Sequence, residues 1–217
     1  MIRLTDVSKR FYAGGVETLV ADRVSLVFPA GRSVALLGRN GAGKSSLLKM
    51  ISGTMKPTSG EIEVAGSVSW PVGFAGSLHG DLTGVQNTRF VARIYGVDSD
   101  ELAVFVEDFS ELGGHFRLPV RGYSQGMRAR LGFALSMGIG FDTYLIDEVT
   151  AVGDEAFREK CEAALAFRLD GRGAVVVSHS LGFLKRVCTA GVVIEDGRAA
   201  WYDDIGAAIR AHRAMLE

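Results

Sequence analysis

Short apolar runs, bounded by glycine, proline or polar residues, recur along the chain and predict buried strands. They lie at residues 34–37, 144–148, 174–177 and 192–194. Nearer the N-terminus, residues 2–7 and 24–28 alternate apolar and polar side chains, and residues 61–64 and 67–70 are short strand candidates. This front part predicts antiparallel sheet around one parallel strand at 34–37.

Helical spacing of apolar residues follows several of these strands. The clearest helix begins at Asp98, which has capping-box spacing to Glu101 and an apolar face that continues to Leu112. With a second helix at 85–95, it predicts a mostly helical lobe. That lobe covers about residues 71–125, and the core is expected to comprise 1–70 and 126–217. The predicted fold class is α/β.

The connection between the strand at 34–37 and the next helix carries the most specific pattern. Residues 38–45 read glycine, four residues, Gly-Lys-Ser, which is the phosphate-binding loop pattern. Its glycines allow a tight turn whose N–H groups, with the helix N-terminus, attract an anion. Lys44 adds a positive charge for the β- and γ-phosphates, and Ser45 adds a hydroxyl for Mg²⁺. The alternative is a glycine-rich turn without a ligand. The residues predicted to bind the phosphates are Gly38, Arg39, Asn40, Gly41, Ala42, Gly43, Lys44, Ser45 and Ser46.

Two other predicted strands end in polar groups. The strand at 144–148 ends in Asp147 and Glu148, and carboxylates there are costly to bury without a cation. A metal and water site is the preferred interpretation, and a solvated strand end is the alternative. His179 follows the strand at 174–177, on the edge where open α/β sheets bind ligands, although it could be a core histidine. Ser124, taken alone, is a helix N-cap.

Charge and cysteine content exclude several classes of protein. The 24 basic and 25 acidic residues give a net charge of −1, so nothing indicates a nucleic-acid partner. The longest uncharged stretch, 64–80, is too polar to span a bilayer, and the N-terminus lacks a signal-peptide core. We therefore expect a cytosolic chain whose contact with a membrane depends on a partner. Cys161 and Cys188 match no metal or redox spacing, which favours buried, reduced thiols.

With these segments in this order, the chain resembles the nucleotide-binding subunit of an ABC transporter over essentially all 217 residues. Residues 38–45 match its Walker A motif, and Asp147 with Glu148 matches the end of Walker B and the adjoining catalytic glutamate. Residues 123–127 lie where the family has its Leu-Ser-Gly-Gly-Gln signature. The resemblance implies a single domain, 1–217, with the P-loop NTPase ABC ATPase fold: a RecA-like core, an antiparallel β subdomain and a helical lobe.

The same resemblance implies a site shared by two copies of the chain, with ATP and Mg²⁺ as cofactors. Ser124 and Gly126 of one copy would contact the γ-phosphate held by the other. Asp154 falls at the D-loop aspartate. Phe11, with Tyr12 as second choice, would stack on adenine.

The chemistry implied for that site is ATP hydrolysis. Glu148 would activate the attacking water, while Lys44 and His179 would contact the phosphates. Ser45 would bind Mg²⁺ directly, and Asp147 through water. A lone subunit is expected to hydrolyse ATP poorly because it holds half of each site.

Several segments narrow the resemblance to the ATPases of bacterial capsular polysaccharide exporters. They are residues 68–71, 90–93, 123–128, 147–154 and 177–181. ATPases that export O-antigen or teichoic acid share much of this pattern and remain the alternative. Some of those carry an extra C-terminal domain, for which this chain is expected to have no room after Glu217.

Capsule export implies integral membrane permease subunits as partners, accessory export proteins, and a peripheral position on the cytoplasmic face of the inner membrane.

The chain departs from the family pattern in two places. Gln125 and Met127 replace signature residues, and no glutamine occurs between Ser46 and Val85, so the usual Q-loop side chain is missing. Residues 71–80 take its place.

Two competing interpretations have different functions. A soluble ABC ATPase of DNA repair or translation usually carries long insertions or paired cassettes, which this chain lacks. A nucleotide-binding regulatory module without turnover would not need the complete set Lys44, Asp147, Glu148 and His179.

Overall fold

The computed structural model describes residues 1–72, 78–147 and 154–216. The strands within these ranges are β1 (Ile2–Ala13), β2 (Val16–Phe28), β3 (Ser33–Gly38), β4 (Ser59–Val64), β5 (Val68–Val72), β6 (Thr143–Asp147), β7 (Gly173–Val177), β8 (Ala190–Glu195) and β9 (Arg198–Tyr202). The α-helices are α1 (Lys44–Ile51), α2 (Gly84–Tyr95), α3 (Ser99–Ser110), α4 (Gln125–Gly138), α5 (Glu155–Leu169), α6 (Leu181–Val187) and α7 (Ile205–Ala214).

The strands form two sheets. A three-stranded sheet has the order β2-β1-β4, with antiparallel pairing throughout. A six-stranded sheet has the order β5-β6-β7-β3-β8-β9, in which β6, β7, β3 and β8 run parallel and β9 is antiparallel to β8. The predicted strand at 67–70 corresponds to β5 and belongs to this larger sheet, where it lies beside β6. Ser69 Oγ also accepts a hydrogen bond from Leu145 N of β6 at 2.9 Å.

The first two strands are longer than the alternating pattern predicts. β1 and β2 pair from Ile2 with Phe28 to Ala13 with Val16, with irregular register between Leu4 and Arg10. Bulges shift which side chains face the core, so the simple alternation that marks a strand in sequence is lost in the middle of the hairpin. The turn at Gly14 and Gly15, both with positive φ, closes it.

The phosphate-loop strand β3 lies in the middle of the core. All six of its residues are buried, between β7 and β8. Leu48 and Ile51 of α1 pack in the same apolar cluster as Leu36 of β3. Burial on both faces explains why β3 appears in the sequence as a continuous apolar run.

The described residues form two compact units. The first comprises the described residues of 1–71, 141–148 and 169–217, and the second those of 72–140 and 149–168. The second unit therefore reaches beyond the expected helical lobe at 71–125 and includes α4 and most of α5. The reason is aromatic packing: Phe109 of α3 stacks on Phe133 of α4, with ring centroids 5.8 Å apart, and meets Phe157 of α5 edge-on at 6.0 Å.

No helix in the described ranges is both long and apolar enough to cross a bilayer. Cys161 and Cys188 are buried free thiols, as predicted. Burial raises the pKa of each thiol to about 12, so both are protonated at neutral pH.

Candidate nucleotide-binding site

One edge of the six-stranded sheet gathers three of the predicted features. Asp147, the half-buried last residue of β6, pairs with Val177, the last residue of the parallel neighbour β7. Exposed His179 follows β7 by two residues, and Gly38 ends the next strand, β3. Since the carboxyl ends of parallel strands meet at one edge, Asp147, His179 and the phosphate loop lie along the same side of the first unit.

A pocket of about 230 Å³ opens at the phosphate loop. Its lining residues are Val20, Asn40, Gly41, Gly43, Lys44, Ser45, Ser46 and Val177. Six of the nine residues predicted to bind phosphate thus line the pocket, and β2 and β7 contribute one valine each. The pocket combines backbone amides, an ammonium group and hydroxyls, the groups that bind phosphate.

Lys44 holds the loop in a closed turn. Its Nζ donates to the carbonyl of Gly38 at 2.8 Å and to that of Arg39 at 2.9 Å. The N–H of Ala42 also donates to Arg39 O, at 3.1 Å. These bonds keep the ammonium group at the loop, where it can meet an incoming phosphate.

The N-terminus of α1 is open to an anion. Its N-cap, Gly43, makes no side-chain capping bond, and the first turn holds no acidic residue. The first N–H groups of a helix have no partner inside the helix, and the helix dipole adds partial positive charge there. A phosphate at this position can therefore accept bonds that no described side chain takes.

Two glycines of the loop are required by close approach. Gly43 has φ of 97°, and an added Cβ would lie 2.3 Å from Val20 Cγ1 and 2.9 Å from Val20 O. A Cβ on Gly38 would lie 2.6 Å from Ile194 O of β8. The loop thus fits between β2 and β8 because these positions lack side chains.

Phe11 and Tyr12 stand near the end of β1. Phe11 is 37% exposed and pairs with Thr18 of β2, two residues from the pocket-lining Val20; the Lys9 ammonium lies 5.0 Å from its ring centroid. Tyr12 is 71% exposed. Both rings are thus accessible to a ligand.

Ser124 and Gly126 belong to the second unit. Ser124 is the N-cap of α4, as predicted, and its Oγ accepts from Met127 N at 3.2 Å. A Cβ on Gly126 would meet only Ser124 Oγ, at 3.9 Å, so the described fold leaves this position open.

Asp154, also in the second unit, directly precedes α5, and two hydrogen bonds hold its carboxylate in place. Its Oδ1 accepts from Phe157 N at 2.9 Å, and its Oδ2 from Arg130 at 3.0 Å. The backbone hydrogen bond from Phe157 and the charge of Arg130 lower the pKa of the Asp154 carboxyl.

Two predictions fall outside the described residues. Glu148 lies in the undescribed segment 148–153, and the middle of the predicted Q-loop replacement lies in 73–77. The first glutamine after that segment is Gln86, and its side chain is engaged in helix capping. It forms a capping box with Thr83 at the start of α2.

Sequence reasoning missed Val20 at the phosphate loop and His212 of α7. Val20 lines the pocket, but its strand shows nothing in sequence that places it over Gly43. His212 of α7 has a buried Nδ1 without a hydrogen-bond partner among the described residues. Burial, and secondarily the positive charge of Lys44, lowers the pKa of His212.

Comparison with known proteins agrees with this geometry. The ABC transporter family profile matches residues 21–151. This chain belongs to the ABC transporter family. The predicted resemblance to that family is confirmed.

Curated members of the family match nearly the whole chain. The capsule polysaccharide export ATP-binding protein CtrD of Neisseria meningitidis serogroup B is 44% identical over 216 residues, covering 99% of this chain and 100% of the relative. The polysialic acid transport ATP-binding protein KpsT of Escherichia coli is 43% identical, covering 98% of this chain and 96% of the relative.

A solved ABC structure confirms the predicted fold class. The dimeric post-hydrolysis state of an ATP-binding cassette with ADP and Pi gives a TM-score of 0.79 at 22% identity. It covers 94% of this chain and 99% of that one. This family member therefore has the α/β fold of an ABC cassette.

Proposed function

We propose that this chain is the ATP-hydrolysing subunit of an ABC exporter that moves capsular polysaccharide across the inner membrane. The observation that carries the proposal is the 44% identity to a capsule polysaccharide export ATP-binding protein over 99% of the chain. The O-antigen export protein RfbB of Klebsiella pneumoniae is 38% identical over 90% of the chain, so O-antigen export is the second candidate. The higher identity favours capsule.

Binding of ATP begins at the phosphate loop. The open N-terminus of α1 and the ammonium of Lys44 neutralise the β- and γ-phosphates. To reach the phosphate, Lys44 exchanges a carbonyl partner for a charged one, which strengthens the hydrogen bond. Phe11 is the adenine-stacking residue, since it lies nearer in the strand pairing to Val20, and Tyr12 is the second choice.

The sheet edge beside the loop fits Mg²⁺. Mg²⁺ prefers oxygen ligands and keeps several waters, and Ser45 and Asp147 supply a hydroxyl and a carboxylate on this edge. When bound, the ion neutralises charge that builds up on the phosphate oxygens. Ser45 would hold it directly, and Asp147 through water.

Hydrolysis needs an activated water on the far side of the γ-phosphate. Glu148 follows Asp147 directly, so a carboxylate at this place can orient the water and accept its proton. His179 shares the edge and would contact the γ-phosphate. The position of Glu148 in the sequence and that of His179 along the sheet support these two roles.

The site is completed by a second copy of the chain. Among the described residues Gly126 has room for a methyl group, which supports a role for this glycine toward a partner outside the subunit. Ser124 Oγ accepts one hydrogen bond and keeps its own proton to donate. The pair would contact a γ-phosphate held by the partner copy. The 217 residues act as a single nucleotide-binding domain in this arrangement.

Permease subunits in the inner membrane are the second class of partner, and accessory export proteins the third. The chain would be held peripherally on the cytoplasmic face by the permease. Copurification with a polytopic membrane protein separates this proposal from a soluble ABC ATPase or a regulatory module.

The Glu148→Gln variant tests hydrolysis. We expect it to bind ATP and to remain a closed dimer, because the water is no longer deprotonated while the phosphate contacts persist. Light scattering with and without ATP measures the dimer, and phosphate release measures turnover. A variant that stays monomeric with ATP and hydrolyses it at the wild-type rate refutes the role of Glu148.

The Gly126→Ala variant tests the shared site. We expect no loss of thermal stability, since alanine favours a helix over glycine by ~1 kcal/mol and the added methyl has space. ATP-dependent dimerisation and turnover should fall sharply, because the methyl occupies space that a partner's phosphate needs. Wild-type turnover in this variant counts against a γ-phosphate contact at Gly126.

A further inference from the structure

Arg130 of α4 lies at the centre of a row of alternating charges in the second unit. Its Nη2 donates to Asp154 Oδ2 at 3.0 Å, and its Nη1 donates to Glu111 Oε2 at 3.3 Å. Lys160 Nζ donates to the other carboxylate oxygen of Glu111, at 2.7 Å. These bonds link the residue that precedes α5 to α4, to the end of α3 and to α5 itself.

The guanidinium group of Arg130 is held from three directions. Besides the two carboxylates, the ring of Phe157 packs against it, with the guanidinium carbon 4.2 Å from the ring centroid. Only 18% of the arginine side chain is exposed. A planar fork that is stacked and bonded at both ends is restricted in its geometry, and a lysine cannot reproduce it. Arg130 therefore fixes the carboxylate of Asp154 at a defined place beside α4.

Glu111 adopts a backbone conformation that suits glycine better. It ends α3 with φ of 55°, in the left-handed region. Glycine is the usual residue where a helix ends in this way, because a Cβ is strained there. The side chain of Glu111 offsets that strain by binding Arg130 and Lys160. A strained residue that supports a network of charges is a reason to look for a function of that network.

The contact between Arg130 and Asp154 joins two segments that carry the proposed reaction. Gly126 lies four residues before Arg130, so the two positions share a face of α4. Asp154 follows Glu148 by six residues along the chain. Arg130 is thus bonded to the end of the segment that begins at the proposed base, and it stands on the helix proposed to meet the partner's phosphate.

Stability alone is a weak reason for this network. The side chain of Asp154 is 67% exposed and that of Glu111 50%. Ion pairs with partners as exposed as these contribute little to the free energy of unfolding, because water screens the charges. The main effect of the network is therefore to give Asp154 a defined position.

We propose that Arg130 is a positioning residue for ATP hydrolysis: it holds Asp154 against α4, and so ties the end of the segment that begins at Glu148 to the helix that carries Gly126. The proposal rests on the roles proposed above for these residues. Arg130 acts through Asp154 and not on the reacting atoms. Its loss lowers the rate of the chemical step more than the affinity for ATP, because the phosphate loop belongs to the first unit.

ATP hydrolysis by the full chain tests this role. We expect Arg130→Met to lower kcat about tenfold to a hundredfold, the range for a misplaced catalytic group, and to leave KM for ATP within about twofold of wild type. Arg158→Met is the matched control, since it removes another arginine–carboxylate pair, with Glu155 at 2.6 Å, from the same unit. The control should keep the wild-type kcat. Wild-type kcat in Arg130→Met, or an equal loss in the control, overturns the proposal.

A double-mutant cycle tests whether Arg130 acts through Asp154. Asp154→Asn keeps an oxygen that can accept from Phe157 N, but it loses the charge that Arg130 binds. If the two residues act as one unit, adding Arg130→Met to Asp154→Asn lowers kcat no further than the more severe single variant does, within about twofold. Losses that multiply show two independent roles and overturn the proposal.

Melting curves show whether the variants are folded. Arg130→Met should melt only a few degrees below wild type, because both of its carboxylate partners are largely exposed. If this variant does not fold, Arg130→Lys carries the test, since lysine keeps the charge but cannot bind two carboxylates and stack on Phe157. Its kcat should still fall while KM holds, and wild-type kcat in Arg130→Lys then overturns the proposal.

The outcomes separate this proposal from the function on which it rests. Wild-type kcat in a folded Arg130 variant overturns the positioning role and leaves the proposed function standing. If the wild-type chain itself does not hydrolyse ATP, the proposed function fails, and the role of Arg130 fails with it.

Discussion

Gly43→Ala tests whether β2 sets the shape of the phosphate loop. The added Cβ would lie 2.3 Å from Val20 Cγ1, where ordinary contacts begin at 3.4 Å, so one of the two groups must move by about 1 Å. The backbone oxygen of Val20, at 2.9 Å, restricts that movement. Such overpacking costs ~1–3 kcal/mol. The positive φ of 97° adds ~1–2 kcal/mol for any residue with a Cβ.

Gly41→Ala is the matched control. Gly41 has φ of 83°, so it shares the backbone penalty, but no atom lies within 4 Å of its added Cβ. The difference between the two variants therefore isolates the contact with Val20. For a chain of this size, 1 kcal/mol shifts the melting temperature by about 2–4 °C. Gly43→Ala should therefore melt about 2–12 °C below Gly41→Ala.

Thermal unfolding without nucleotide measures this difference, and an ATP titration measures its effect on the site. Affinity should fall more in Gly43→Ala, because relieving the clash moves the N-terminus of α1 relative to β2. Adding Val20→Ala should restore part of the stability, since it removes Cγ1 and leaves the carbonyl contact. Equal melting of Gly43→Ala and Gly41→Ala would refute the idea that β2 constrains the loop.

Two further predictions concern the second unit. Asp98→Ala should lower the melting temperature by a few degrees, because the Asp98 carboxylate accepts the first free N–H groups of α3, whereas Asp98→Asn should retain most of this cap. Those hydrogen bonds lower the pKa of Asp98. The ionised carboxylate therefore stabilises the fold fully above the ordinary carboxyl pKa, and this stabilisation is lost as the pH falls through the lowered pKa. Melting curves across acidic pH measure the loss. Asn87→Ala should destabilise the unit by about 2–4 kcal/mol in denaturant unfolding, because the buried amide oxygen accepts from His79 N and the two N–H groups are shared among three carbonyl oxygens. Gln86→Ala, which removes only the exposed half of a capping box, is its control and should cost less.

Local signals in the sequence were sufficient for much of the candidate site. The apolar run at 34–37, the glycines and Lys44 predict a strand, a turn and a helix in immediate succession, and each is fixed by neighbours within a few residues. Asp98 and Ser124 were identifiable as caps for the same reason. Order along the chain then placed Asp147 and His179 at ends of parallel strands, which share an edge in this type of sheet.

Contacts between distant segments were not predictable in this way. Val20 packs on Gly43 because the β1–β2 hairpin runs on past residues 7 and 24, and no local pattern marks that extension or its bulges. The second unit likewise recruits α4 and α5 through the rings of Phe109, Phe133 and Phe157. Each of these helices has an apolar face, and such a face does not specify which other face it meets.

Gly43 and Gly126 both belong to sequence motifs, but packing among the described residues explains the glycine only at position 43. Both were singled out by sequence, yet within the described residues only Gly43 is required to be a glycine, because Val20 leaves no room for a side chain there. Gly126 sits in a helix, where glycine is unfavourable relative to alanine, and among the described residues an added Cβ would meet only Ser124 Oγ, at 3.9 Å. A residue that costs helix stability and relieves no contact in the described fold is best explained by something that approaches from outside. The packing around this one Cβ position, rather than the motif itself, favours a second copy with its bound nucleotide.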